Sequence, residues 1–319
     1  MQNNNKIKPT SPSGLFLAVV LIHLSVSIFL TIISDRFAIP IVPELILSEL
    51  IILIPGLVWI LNKNVSFRAE LSFRPLKAGT IFMSILLAYL LMPLVSLINL
   101  ISQLFTKNEV LQISDEVTGC NFFAVLFIIG FFGPFCEEFV FRGIIFNSMN
   151  RFAGGIAAAL MSGLMFGLLH MNLNQFLYAF FLGVIFSAVN YASKSLYTSV
   201  IMHTVINSHN VILLYMETFL FDKLGLDMQS VADSYTTDSL LMAIALFLLP
   251  ALIASLIAIP VMNYIAVHEG NEGAYINFLK EKPSFDHPIQ DKAKSLTWCI
   301  NIFSIPALLI CLIMIFWNF

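Results

Sequence analysis

Residues 121–148 read NFFAVLFIIGFFGPFCEEFVFRGIIFNS. Between Asn121 and Asn147 the run is apolar except for Glu137, Glu138 and Arg142, and it is long enough to cross a bilayer, for which about 20 mostly apolar residues span about 30 Å of hydrocarbon. Within such a span an ionisable side chain costs about 2.5–3.5 kcal/mol or more at the centre. Three of them flanked by phenylalanines do not face lipid, so they must face other protein. The stretch therefore predicts an all-α, polytopic transmembrane helix bundle with a polar spot in its interior.

The rest of the chain agrees. Of 319 residues, 59% are hydrophobic and only 11% charged, against about 25% charged in an ordinary soluble protein, and the mean hydropathy is +0.90. Apolar segments at about 15–34, 44–61, 79–104, 121–148, 154–171, 173–192, 196–216, 238–267 and 297–318 predict eight or nine spans. The first follows Lys6 and Lys8 as a signal peptide would, but it is too long for an h-region and lacks a small-x-small cleavage site, so it reads as the first span. With the N-terminus in the cytoplasm, the inner side receives Lys6, Lys8, Lys63, Arg68, Arg74, Lys77, Arg151, Lys194, Lys280, Lys282, Lys292 and Lys294. The outer side receives Arg36, Lys107 and Lys223. That asymmetry sets the expected orientation in what reads as a bacterial cell membrane.

A net charge of −3, with no cluster of basic and aromatic residues, argues against nucleic acid as a partner. Cys120, Cys136, Cys299 and Cys311 are scattered without CxxC or Cys/His spacing and read as small core residues. The polar insert at about 268–296 reads as a cytoplasmic loop or surface helix. His23, His268 and His287 read as packing or solvated residues.

Helix geometry separates the roles of the three buried charges. Neighbours differ by about 100° around the axis, whereas residues four apart share a face. Glu138 and Arg142 are thus spaced to pair, and Glu137 points elsewhere, free for chemistry. The next span carries Phe166-Gly-Leu-Leu-His170, a ring and an imidazole on one face, with Gly163 and Gly167 allowing close helix approach. Two spans later His203-Thr-Val-Ile-Asn207 sets an imidazole and a carboxamide on one face, with His209 and Asn210 beyond as secondary residues. Each motif alone is compatible with a packing network. Together they place a carboxylate, two imidazoles and an amide in one apolar bundle, where mutual contact is the cheapest arrangement. Such a set can activate water and stabilise an oxyanion.

These residues resemble the CAAX protease and bacteriocin-processing (Abi-type) intramembrane peptidases, whose pattern is EExxxR, FxxxH and HxxxN. All three elements stand here in order, at Glu137–Arg142, Phe166–His170 and His203–Asn207. The resemblance covers about 120–215, making 120–216 a peptidase core between N-terminal spans at 1–119 and a C-terminal pair of spans with a cytoplasmic loop at 217–319. It implies an endopeptidase acting on a membrane-associated peptide or protein, with bacteriocin maturation or immunity among the family's roles. Glu137 would act as base on a water, with His170 orienting it; His203 and Asn207 would stabilise the oxyanion. Glu138 and Arg142 would hold the helix, with Phe166 supporting the site. Glu137, His170 and His203 are also the candidate ligands for a zinc-type metal, but no HExxH is present and the reading leans to a metal-free enzyme. Two other classes fit less well. One is a catalytically silent scaffold regulating an envelope protein or sensor kinase, which would have little reason to bury Glu137. The other is an ion-coupled transporter, for which a two-halved repeat is missing.

Overall fold

In hydrocarbon every backbone N–H and C=O must find a partner within the chain, and for apolar runs of this length the helix supplies them. The computed structural model describes residues 12–34, 37, 39–62, 67–226, 230–231, 234–280 and 301–317. Among them there are helices and no strand. The main elements are α1 (Ser13–Ser34), α2 (Ile41–Leu61), α3 (Ala78–Ser102), α4 (Phe122–Arg151), α5 (Gly155–Leu169), α6 (Leu173–Ser193), α7 (Tyr197–Leu224), α8 (Thr237–His268), α9 (Ala274–Lys280) and α10 (Ser304–Trp317).

Among the described residues six helices (α1, α2, α3, α4, α6 and α8) are long and apolar enough to cross a membrane, with two shorter apolar helices beside them, against the eight or nine spans expected. Helices α5 and α10 have 15 and 14 residues, short of a full crossing. Helix α7 is long, at 28 residues, but is diluted by polar positions that include His203, Asn207, Ser208, His209 and Asn210, and ends in Asp222 and Lys223. It packs on α3, α4 and α6, so much of its polar face turns into the bundle rather than to lipid. Residues 297–300 of the expected last span, with Cys299, lie outside the described residues, as do Lys6, Lys8, His287 and the insert from 281 onward. The described part of that insert is α9, anchored by buried Ala274 and Phe278.

Contacts fix the relative directions of the helices. At one end Asn271 Nδ2 donates to the carbonyls of Tyr191 and Ala192 at 3.2 and 3.1 Å. Ser195 Oγ donates to Arg74 O at 2.6 Å, and Arg151 pairs with Glu70 at 2.7 Å. The start of α3 is held there too, since the Lys77 amide donates to Glu269 at 3.1 Å, just beyond α8. At the other end Asn174 Nδ2 donates to Asn99 Oδ1 at 2.7 Å, and Tyr215 OH donates to Val117 O and Cys120 O at 2.8 and 3.0 Å. Successive long helices therefore alternate in direction, and the first end collects Arg74, Lys77, Arg151 and Lys194.

The outward faces keep Phe82, Leu246 and Trp317 well exposed, surface suited to lipid, while Cys136 and Cys311 are fully buried. Small residues allow the tightest contacts. A Cβ at Gly163 would lie 2.9 Å from Phe180 O, and one at Gly167 2.8 Å from Phe176 O, so α5 and α6 pack backbone to backbone.

Candidate active site

Helix α4 is not uniform. Ile128–Phe132 and Phe139–Phe146 are π-helical, and Gly133–Glu138 between them is α-helical. Proline accounts for part of this. In the π register the Gly133 N–H reaches Ile128 O, so the next donor would serve Ile129 O, but Pro134 has no N–H to give. Helix α7 fills the gap: Asn207 Nδ2 donates to Ile129 O at 3.2 Å, and Ser208 Oγ reaches Gly130 O at 3.4 Å. Wide turns of this kind recur at functional sites. Here they bracket the two glutamates and tie them to α7.

The Glu138–Arg142 pair forms as the spacing predicts, with Arg142 Nη1 at 2.9 Å from Glu138 Oε1 and both side chains at 0% exposure. Phe166 and Phe186 lie against the guanidinium, their ring centroids 4.2 and 5.5 Å from its carbon. Gly183 leaves room for it, since a Cβ there would lie 2.8 Å from Arg142 Nη2.

His203 stands between the two glutamates. Its Nδ1 is 3.0 Å from Glu138 Oε1, and its Nε2 is 3.5 Å from Glu137 Oε2. An ionised carboxylate only accepts hydrogen bonds, so Nδ1–H donates to Glu138, which fixes the ring's orientation and turns Nε2 toward Glu137. Glu137 retains 15% exposure where Glu138 retains none, so Glu137 is the carboxylate that remains approachable. The two acids are thereby differentiated by their surroundings: one holds a guanidinium and an imidazole, and the other meets only the far nitrogen of that imidazole and keeps some exposed surface.

His170 joins less directly. It caps α5, and its Nδ1 donates to Phe166 O at 3.0 Å, which leaves Nε2 with its lone pair. Asn172 Nδ2 donates to His170 O at 2.9 Å, while Asn172 Oδ1 caps α6 through the Gln175 amide at 2.8 Å. The Phe166 ring meets His170 edge-on at 5.2 Å and His203 at 5.9 Å, so it touches both imidazoles as well as Arg142. Among the described residues no hydrogen bond links His170 to Glu137. Asn207 lies one turn beyond His203 on α7 and holds Ile129 O. His209 faces Tyr89, at 5.7 Å between rings.

The structure also adds residues that motif reading passed over. Glu49 of α2 lies against Gly133, where a Cβ would be 3.0 Å from its Oε1, and it is within electrostatic reach of Glu137. The Tyr178 phenol of α6 is also within electrostatic reach of Glu137, and His23 of α1 within that of His170. Glu49 obeys the rule that singled out Glu137, an acid inside an apolar span. Glu49 sits inside the helix Ile41–Leu61, in a span that carries none of the three motifs.

Among the described residues no three His, Cys, Asp or Glu side chains are grouped to hold a metal ion. Of the candidate ligands, Glu137 and His203 meet, whereas His170, whose Nδ1 contact to Phe166 O leaves Nε2 free as in a ligating imidazole, is not grouped with them. The donors as arranged do not form a His₂Glu site, and the chemistry below is derived without one.

Residues 119–209 match the family model described as Type II CAAX prenyl endopeptidase Rce1-like. That segment is thus similar to the CAAX protease family. Among curated proteins, this chain is 34% identical over 93 residues to the membrane-embedded CAAX protease MroQ of Staphylococcus aureus (strain USA300), covering 27% of this chain and 38% of that protein. It is 30% identical over 81 residues to the putative membrane peptidase YdiL of Bacillus subtilis (strain 168), covering 25% of this chain and 33% of that protein. The matched stretch thus spans only about a third of either relative's length. No solved structure matches the chain. The matched segment runs from just before α4 to the middle of α7 and contains every motif residue, while α1, α2, α3, α8, α9 and α10 fall outside it.

Proposed function

We propose that this protein is an intramembrane endopeptidase that hydrolyses a peptide bond of a membrane-associated protein or peptide by a metal-free, glutamate-based mechanism. The observation that carries the reading is the imidazole of His203 held between Glu138, which is wholly buried and paired, and Glu137, which is approachable.

Glu137 takes a proton from a water as its oxygen attacks the scissile carbonyl carbon, forming a C–O bond and an oxyanion. His203, which for this must carry a proton on Nε2 as well as the Nδ1–H given to Glu138, and the second amide hydrogen of Asn207 are the donors for that oxyanion. The C–N bond then breaks as Glu137 passes the proton to the leaving amine. His170 contributes an Nε2 lone pair that can share the proton Glu137 takes. General-base assistance is worth about 10²–10⁴-fold and a single oxyanion donor about 10²–10³-fold. The chemistry sits about 9 Å, or six residues along α7, from the helix start at Tyr197. That is the basic end of the bundle, taken here as cytoplasmic, so cleavage occurs near that face.

The test is cleavage of membrane-anchored peptides by the detergent-purified protein, comparing wild type with Glu137→Ala and Glu138→Gln, with and without a chelator. Cleavage lost in Glu137→Ala and untouched by the chelator supports the reading. Loss on chelation overturns its metal-free part. Full activity of Glu137→Ala, in the purified protein or in cells, overturns it entirely.

A further inference from the structure

Helix α2 lies outside the family-matched segment, yet it runs along α4 in the same direction. Glu49 meets Gly133, and seven residues later Gly56 meets Val140, where a Cβ on Gly56 would lie 2.7 Å from Val140 Cγ2. Two glycines, one from each helix, therefore set the approach. At Gly133 a Cβ would stand 3.0 Å from Glu49 Oε1 and 3.2 Å from Glu49 Cδ, so the absence of a side chain there lets the carboxyl group sit on the α4 backbone. Gly133 and Glu137 are four residues apart within the α-helical stretch of α4 and share a face. Glu49 is within electrostatic reach of both Glu137 and Cys136.

Glu49 Oε2 is buried and has no hydrogen-bond partner. Structural acids in this bundle are each anchored by a cation or an N–H, even where one oxygen is left over, as the buried and unpartnered Oε2 of Glu138 is. Glu138 holds Arg142 and His203, Glu70 holds Arg151, and Glu269 takes the amide of Lys77. A buried acid beside a reactive carboxylate, with an oxygen left unpaired and a glycine kept opposite it, marks a place where the partner arrives with the substrate.

We propose that Glu49 is a further catalytic residue of this site, the second acid on the attacking water. The inference rests on the peptidase reading above. One hydrogen of the water goes to Glu137 as the oxygen bonds to the scissile carbon, and Glu137 delivers it to the leaving nitrogen. Glu49 Oε2 accepts the other hydrogen, keeps that bond while the tetrahedral species forms, and so aims the water's lone pair at the carbonyl. No other reactant is needed, and the N-terminal spans complete the site that the family-like segment begins.

The experiment uses the full-length purified protein and a membrane-anchored peptide that the wild type cleaves. Thermal unfolding and steady-state kinetics are measured for wild type, Glu49→Gln, Gly133→Ala and Glu137→Ala. Glu49→Gln keeps the shape and removes an unpaired buried acid, so its unfolding midpoint stays level or rises while kcat falls at least about tenfold with KM nearly unchanged. Gly133→Ala pushes the carboxyl aside and loses part of kcat. A wild-type kcat in Glu49→Gln overturns the proposal, and so does a kcat loss accompanied by a lowered midpoint, which marks a packing role. If Glu137→Ala is inactive while Glu49→Gln is normal, this inference alone fails. If Glu137→Ala cleaves normally, the peptidase reading fails with it.

Discussion

Replacing Glu138 with glutamine takes the negative charge away from a guanidinium that has no exposed surface. Arg142 reaches Glu138 at 2.9 Å, and its Nε and Nη2 have no hydrogen-bond partner. Removing one member of a buried pair costs about 3–5 kcal/mol, because the other charge is left in a low-dielectric interior. Both side chains are fully buried, so solvent screening gives no reason to discount that figure. The two cation–π contacts, worth about 2 kcal/mol or more each when desolvated, are present in both forms and so do not offset the loss of the anion. The prediction is a strong fall in the unfolding midpoint for Glu138→Gln, and recovery of most of it in Glu138→Gln/Arg142→Met, where no buried charge is stranded. Activity behaves oppositely. It stays low in the double variant, because His203 still lacks the ionised acceptor that orients it. Unfolding can be followed in detergent with a thiol-reactive fluorophore, since Cys136 and Cys311 are fully buried and free and become reactive on opening. A single variant as stable as wild type, or a double variant no more stable than the single, would refute the reasoning.

Two further outcomes follow from the same contacts. Asn207→Ala strands the carbonyl of Ile129 that Pro134 cannot serve, costing about 1–3 kcal/mol of stability; if its amide also serves the oxyanion, kcat falls about 10²-fold as well. A stability loss with normal kcat would confine Asn207 to holding the π-turn. For orientation, cysteines placed at Lys194 and at Lys107 are expected to label from opposite sides, Lys194→Cys from the cytoplasm and Lys107→Cys from outside; the reverse pattern would invert the topology.

Much of this architecture is legible in the residues because the bilayer is a severe filter. Apolar runs near the required length placed α1, α2, α3, α4, α6 and α8 to within a few residues, and three motif helices placed the polar spot. Glu138 and Arg142 could be paired from spacing alone, since a local interaction depends on local geometry. What was not legible has physical causes. A helical wheel assumes one pitch, and α4 changes pitch twice around Gly133–Glu138, so which face each glutamate presents could not be read from 3.6-residue spacing. The placement of His203 between both acids depends on how α7 docks on α4, which the Asn207–Ile129 contact sets and no spacing encodes. Helix α7 itself looked like an ordinary span because its apolar residues dominate, yet its polar positions serve the interior. Glu49 was legible as an acid within an apolar helix, but its relevance needed Gly133, more than 80 residues away in the chain, to be seen opposite it.

The central claim is that Glu137 activates a water against a peptide bond within the membrane. Its most direct test is hydrolysis in ¹⁸O-labelled water by the purified protein in lipid vesicles carrying a membrane-anchored peptide, with products read by mass spectrometry. The account predicts that wild type yields a new C-terminal carboxyl carrying one ¹⁸O and that Glu137→Ala, folded and at equal amount, yields no product. Labelled product from Glu137→Ala at the wild-type rate would contradict it.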